Sequence, residues 1–226
     1  MVIDDFEMMR VLGKGRACKV LLVRHKPTSD LFALKSIAKR HVELQRTLTE
    51  QAVLQRMAAE GKNPFVVKLW WSFHDRERLS LVMDFYPGGD LATQLARWGR
   101  LGRDRSRCYA AEIVEGVEGL HKNGVIYRDL KPENVLIDSL GHIVLTNFGL
   151  SKEFPRRFNA ATTPSAPSVT REEYFASGTP SSPNPDRDLS NGIPGAGTET
   201  TSTFCGTAEY LAPEVIQGIP YSFEVD

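Results

Sequence analysis

Apolar residues follow two rhythms along this 226-residue chain. Phe6, Val11 and Leu12, then Val20 to Val23, flank a glycine-rich turn and predict a two-stranded β-hairpin. Leu31 to Ile37 carries another short β-pattern. From Arg46 to Met57 the rhythm changes: helix-forming residues with an apolar stripe of Leu48, Ala52 and Val53 or Leu54 predict a helix. Asn63-Pro64-Phe65 marks its end, and Val66 to Phe73 and Leu79 to Met83 predict two more strands. Asp104 to Lys122 predicts a second, longer helix, with Tyr109, Ile113, Val117 and Leu120 on one face and Gly124 past its end. Val135 to Ile137 and His142 to Leu145 then read as a hairpin across Ser139-Leu140-Gly141.

The pattern lapses between Phe158 and Ser202, where 24 of 45 residues are Ser, Thr, Pro or Gly. So few apolar residues cannot bury enough surface to order the segment, which is expected to be a disordered insert. Thr163-Pro164, Thr179-Pro180 and Ser182-Pro183 within it fit proline-directed kinases, though such dipeptides are common in disordered sequence.

Polar strings sit at set places in this framework. Gly13-Lys14-Gly15-Arg16-Ala17-Cys18-Lys19-Val20 occupies the turn of the first hairpin. Glycine there lets backbone N–H groups approach phosphate oxygens with no Cβ in the way. Two glycines spaced by one residue are, alone, as compatible with a plain hairpin. Ala33-Leu34-Lys35 puts a lysine inside a strand, and Glu50 on the following helix offers it a carboxylate. Tyr127 to Asn134 reads YRDLKPEN, and thirteen positions after Asn134 comes Asn147-Phe148-Gly149.

With the opening Ile3-Asp4-Asp5-Phe6-Glu7 and the run from Thr203 to Glu214 (TFCGTAEYLAPE), these strings resemble the catalytic domain of a eukaryotic Ser/Thr protein kinase of the AGC group, over nearly the whole chain. The resemblance implies an α+β, two-lobed protein-kinase-like fold. A small β-rich lobe would span residues 4–83, a hinge 84–86, and an incomplete, mainly helical large lobe 87–226, with the 158–202 insert in its activation segment. It implies ATP and Mg²⁺ as cofactors and protein substrates with basic residues near the Ser/Thr.

The resemblance also implies roles. Asp129 would accept the proton of the substrate hydroxyl, Lys131 neutralise the transferring phosphate, and Thr207 hydrogen-bond Asp129. Asn134 and Asn147 would hold magnesium. Lys35, paired with Glu50, would hold the α- and β-phosphates. Gly13, Gly15, Val20, Ala33, Met83 and Leu136 would enclose the nucleotide, with the backbone of Asp84, Phe85 and Tyr86 on adenine. Asp90 and Glu133 would meet ribose or a basic substrate side chain; Asp90 reads almost as well as a helix N-cap before Leu91. Thr203 would be phosphorylated by an upstream kinase, with Arg128, Lys152 and Arg46 at the matching basic positions. Leu54, Leu69, Tyr127 and Phe148 would stack between the lobes, anchored on Asp226.

Two positions depart from the family pattern. Cys18 stands at the third glycine, where a small residue is tolerated. Asn147 stands where the family carries the aspartate of Asp-Phe-Gly. A neutral amide oxygen is a weaker ligand for Mg²⁺ than a carboxylate, so magnesium affinity is expected to fall. Two classes of function follow: an active or weakly active Ser/Thr kinase, or a pseudokinase that binds nucleotide or partners as a scaffold.

Zero formal net charge favours neither nucleic acid nor membrane insertion. Cys18, Cys108 and Cys205 have no metal-ligand spacing and read as reduced thiols. With no signal peptide, the expected location is cytoplasmic or nuclear. The chain stops at the expected start of a large-lobe helix, so it reads as a fragment or a truncated gene model.

Overall fold

The computed structural model describes residues 2–15, 18–39, 41–61, 63–154 and 199–226. Apart from Glu199, these belong to one compact unit. Five strands, β1 (Phe6–Lys14), β2 (Cys18–His25), β3 (Leu31–Ala38), β4 (Leu69–His74) and β5 (Arg78–Asp84), form an antiparallel sheet in the order β1-β2-β3-β5-β4. Strand alternation sorts β3 cleanly. Phe32 and Leu34 join Phe6, Val23 and Val82 in an apolar cluster with Trp71 and Phe73. Ala33 and Lys35 point to the other face, where they line a cavity. The register sets Val20 and Leu81 opposite Lys35, and Met83 opposite Ala33.

Helix α1 (His41–Glu60) crosses between β3 and β4. It begins at His41, five residues before the expected Arg46. Its buried face also differs from the expected stripe. Leu48 and Ala52 are exposed, whereas Thr47, Glu50, Val53, Leu54 and Met57 are buried. Val53 and Leu54 belong to the expected stripe, but two of those five positions are polar, so apolar periodicity finds the buried face only in part.

The second half is mainly helical and turn-rich. It contains α2 (Leu91–Trp98), α3 (Arg103–Lys122) and α4 (Pro213–Gln217), with two small hairpin-like pairs. In one, β6 (Val125–Ile126) meets β9 (Lys152–Glu153); in the other, β7 (Val135–Ile137) meets β8 (Ile143–Leu145). Tyr109, Val117 and Leu120 of α3 are buried and Ile113 is half-buried, as the pattern required. One continuous core joins the halves: Val53, Leu54 and Met57 of α1 pack in the same cluster as Tyr127, Leu145 and Phe148. Full burial of a side chain the size of Phe148 is worth about 2–3 kcal/mol, so this core ties the sheet to the region around Tyr127. At the junction, Gly88 lies so close to β7 that a Cβ there would sit 2.6 Å from the Ile137 carbonyl oxygen.

The expected insert 158–202 lies outside the described residues, except for its last four. Those correct its boundary: Thr201 exchanges both backbone hydrogen bonds with Tyr221, at 2.9 and 2.8 Å. Thr201 and Ser202 therefore belong to the compact unit, although they fall within the range expected for the insert.

Candidate functional site

The YRDLKPEN string folds as a tight, polar turn. Arg128 takes a left-handed backbone (φ 65°), and Pro132–Asn134 forms a single 3-10 turn with Pro132 at its start. This conformation buries Asp129 and Asn134. Asn134 Nδ2 donates to the Asp129 carbonyl oxygen (2.7 Å) and to its Oδ2 (2.8 Å). Thr207 Oγ1 donates to Asp129 Oδ1 at 2.7 Å. Lys131 Nζ donates to Thr207 Oγ1 at 2.6 Å and lies 3.2 Å from Asp129 Oδ2. Asp129 and Thr207, 78 residues apart in sequence, are thus brought into one network with Lys131 and Asn134. Gly206 permits the approach, since its φ is 127° and a Cβ there would strike Leu211 and the Arg128 carbonyl.

The loop is clamped from below. Asp226 Oδ2 accepts from Tyr127 N and Oδ1 from Arg128 N, both at 2.7 Å, and His121 Nε2 lies 2.9 Å from Oδ2. Tyr127 and Phe148 pack ring on ring, with centroids 5.1 Å apart, and Leu54 and Leu69 belong to the same cluster. Burial drives the Tyr127 phenol well above its ordinary range, so it serves as a neutral donor to the Thr146 carbonyl.

Lys35 Nζ contacts Glu50 Oε2 at 2.6 Å, with Glu50 fully buried. The same ammonium donates to Asn147 Oδ1 at 3.2 Å, and Asn147 Nδ2 donates to Asn134 Oδ1 at 3.1 Å. Asn147 has φ 64°, a left-handed backbone that asparagine accepts more readily than most residues.

These groups meet a cavity of about 490 Å³ between the sheet and β7. Its apolar part is lined by Val20, Ala33, Met83 and Leu136, with Gly13 nearby, and its rim by Asp84, Tyr86, Asp90 and Glu133. The volume suits a nucleotide-sized ligand. Burial pushes the Tyr86 phenol up, and the Asp84 carboxylate adds to the effect. At the polar end Cys18, Lys35 and Asn147 are shared with a second cavity that also reaches Arg46, Asp129, Lys131 and Thr207. Burial raises the Cys18 thiol above its usual range. Gly15 closes the hairpin turn through its N–H to the Cys18 carbonyl at 2.8 Å.

Other expected residues carry further contacts. Asp90 spends both carboxylate oxygens on Thr93, taking the backbone N–H at 2.7 Å and the hydroxyl at 2.8 Å as the N-cap of α2. The Arg128 guanidinium is engaged by the carbonyls of Leu150 (2.6 Å) and Ser151 (3.2 Å) and by the Tyr221 hydroxyl (3.2 Å). Thr203 is exposed, as is Lys152. Tyr221, fully buried, donates to the Thr203 carbonyl at 2.6 Å. Sequence reasoning missed this tyrosine, which stands in a non-periodic stretch after Pro220 and gives no local signal.

Magnesium, which the fold family implies, would have to compete with hydrogen bonds that the side chains already make. Asn147 Oδ1 is taken by Lys35 and Asn134 Oδ1 by the Asn147 amide, while both Asp129 oxygens are hydrogen-bonded within the network. Among the described residues there is no cluster of three or more His, Cys, Asp or Glu side chains able to hold a metal.

A β-sheet lobe that carries a lysine–carboxylate pair and a partial helical lobe, with a nucleotide-sized cavity between them, define a two-lobed, kinase-like class of fold. Comparison with known proteins narrows it. Residues 6–177 match the family described as "Protein kinase domain", and the chain belongs to that family. Over 228 residues it is 38% identical to the RAC family serine/threonine-protein kinase homolog of Dictyostelium discoideum, covering 99% of this chain and 42% of that protein. It is 38% identical to the serine/threonine-protein kinase sgk-1 of Caenorhabditis elegans, covering 99% of this chain and 40% of that protein. For the serine/threonine-protein kinase gad8 of Schizosaccharomyces pombe the figures are 39%, 100% and 33%. These relatives are AGC-type Ser/Thr kinases, the group that the motifs resemble. The chain spans well under half the length of each. No helix among the described residues is long and apolar enough to cross a membrane.

Proposed function

We propose that this chain is the catalytic part of an AGC-type Ser/Thr protein kinase, which transfers the γ-phosphate of ATP to Ser or Thr hydroxyls of proteins in cytoplasmic or nuclear signalling. Residues 4–83, 84–86 and 87–226 act as its small lobe, hinge and partial large lobe. The observation that carries the reading is the network around Asp129, whose carboxylate is oriented by Thr207 and Asn134 beside Lys131. In the transfer, the substrate hydroxyl gives its proton to Asp129 as its oxygen bonds to the γ-phosphorus and the bond to the β–γ bridging oxygen breaks. Lys131 and Lys35 offset the phosphate charge. Glu133, exposed at the cavity rim, gives the site its preference for basic substrates; Asp90 contributes charge there while capping α2. Thr203 receives phosphate from an upstream kinase. Asn147 lowers magnesium affinity, so turnover is slow.

The test is phosphorylation of a basic Ser/Thr peptide by the chain and by its Asp129→Asn and Asn147→Asp variants. Low activity that Asp129→Asn abolishes and Asn147→Asp raises is the expected result. An acidic peptide taken in preference to the basic one would defeat the substrate assignment. A specific observation favours a second reading, a pseudokinase scaffold: the Asn147 amide is tied at both ends, to Lys35 and Asn134. Nucleotide binding with no turnover in any of the three proteins would select it.

A further inference from the structure

We infer that the cleft binds a nucleoside triphosphate without a divalent cation, because the Asn147 amide supplies the bridge that a cation would otherwise supply. The inference rests on the nucleotide reading above and states how that site holds its ligand.

The orientation of two amides carries it. Lys35 Nζ can only donate, so the Asn147 atom facing it at 3.2 Å is Oδ1. At the other end, the Asp129 backbone carbonyl can only accept, so Asn134 turns Nδ2 toward it at 2.7 Å and toward the Asp129 carboxylate at 2.8 Å. Asn134 Oδ1 is thereby left facing Asn147, and Asn147 Nδ2 meets it at 3.1 Å. Neither amide can flip without setting donor against donor or acceptor against acceptor. The row Lys35, Asn147, Asn134, Asp129 is matched at every step with no ion in it. A carboxylate at position 147 would put oxygen against Asn134 Oδ1 and would need a cation between them. The amide N–H takes that cation's place.

Charge points the same way. Lys35, Arg46 and Lys131 line the phosphate end against only Glu50 and Asp129. An aspartate at 147 would bring the carboxylates level with the cations. With asparagine the cations are in excess, and a polyphosphate is attracted by the protein's own side chains.

Isothermal titration of the chain with ATP, in EDTA and in excess Mg²⁺, tests this. The expected dissociation constants agree within about threefold in the two buffers. Binding only with Mg²⁺ would overturn the inference and leave the nucleotide reading standing. No binding in either buffer, by protein whose circular dichroism shows a folded domain, would overturn both. The Asn147→Asp variant supplies a second arm: its binding in EDTA should fall by about tenfold or more and return with Mg²⁺. If the variant binds ATP in EDTA as tightly as the parent, the Asn147 amide does not replace the cation, and the inference fails.

Discussion

Asp226 accepts a hydrogen bond from the backbone N–H of Tyr127 at 2.7 Å, across 99 residues of sequence. Its other oxygen takes the Arg128 N–H at the same distance, and its side chain is almost fully buried. One carboxylate thus fixes the backbone on the N-terminal side of Asp129. Asp226→Ala leaves two N–H groups without this acceptor and should cost about 2–4 kcal/mol of stability. Asp226→Asn keeps one acceptor and should cost roughly half as much. Urea unfolding measures both; equal losses would mean that the oxygen asparagine retains contributes nothing.

Thr207 positions Asp129 without belonging to the catalytic loop. Its hydroxyl donates to Asp129 Oδ1 while accepting from Lys131. Thr207→Val removes that link at nearly constant volume. In the Asn147→Asp background, kcat for a basic peptide should fall by about tenfold to a hundredfold with KM for ATP nearly unchanged. Thr207→Ser should restore most of the loss. A fall in ATP affinity instead would place Thr207 in nucleotide binding.

Cys18 lines both cavities, whereas Cys108 lies on the exposed surface of α3. Bound ATP should therefore slow alkylation of Cys18 and leave Cys108 unchanged, as read by mass spectrometry of the labelled chain. Equal protection of both thiols would point to a general tightening of the fold and not to occupancy of the cleft.

His142 and Glu112 form a pH-dependent pair away from the cleft. Burial pushes Glu112 up, but hydrogen bonds from His142 (2.6 Å), the Ile143 N–H (2.9 Å) and Cys108 (3.3 Å) more than offset this and hold it below its ordinary 4.5. The same hydrogen bond and the Glu112 charge raise His142 above its ordinary 6.5. Glu112's contribution is present above 4.5 and is lost as pH falls through its lower folded value. His142's contribution is full below 6.5 and is lost as pH rises through its higher folded value. The urea midpoint should therefore decline on the alkaline side of 6.5 in the parent and decline less in His142→Asn. Parallel pH profiles for the two proteins would remove the pair from the balance.

The strand pattern and the two hairpins were legible because alternation in β3 and β7 records which face is buried. The catalytic turn was legible because its chemistry is consecutive in sequence, from Asp129 to Asn134. Three features were legible only in part or not at all. The buried face of α1 contains Thr47 and Glu50, so apolar spacing found Val53 and Leu54 but also took in the exposed Leu48 and Ala52. The pairing of Thr201 with Tyr221 is a single bridge inside composition that reads as unstructured. Asp90 was legible in both its readings, and only geometry shows that the cap uses both oxygens. In each case the deciding interaction is long-range or polar, and neither leaves a periodic trace.

Thr203 is tied to the catalytic loop through one side chain. Tyr221 donates to the Thr203 carbonyl and accepts from Arg128, whose guanidinium also holds the Leu150 and Ser151 carbonyls. Phosphate on Thr203 would add nearly two negative charges and new acceptors beside this set. Because Arg128 is already engaged, the exposed Lys152 on β9 is the readier cation. Phosphorylated protein should melt higher than unphosphorylated protein, and hydrogen exchange should slow at Thr201 to Phe204 and around Lys152. Lys152→Gln, an exposed change with little cost of its own, should remove most of that gain. If the gain survives Lys152→Gln but is lost in Arg128→Lys, the phosphate has displaced the carbonyls of Leu150 and Ser151 from the arginine. If neither substitution affects it, Thr203 phosphate acts through groups other than these two cations.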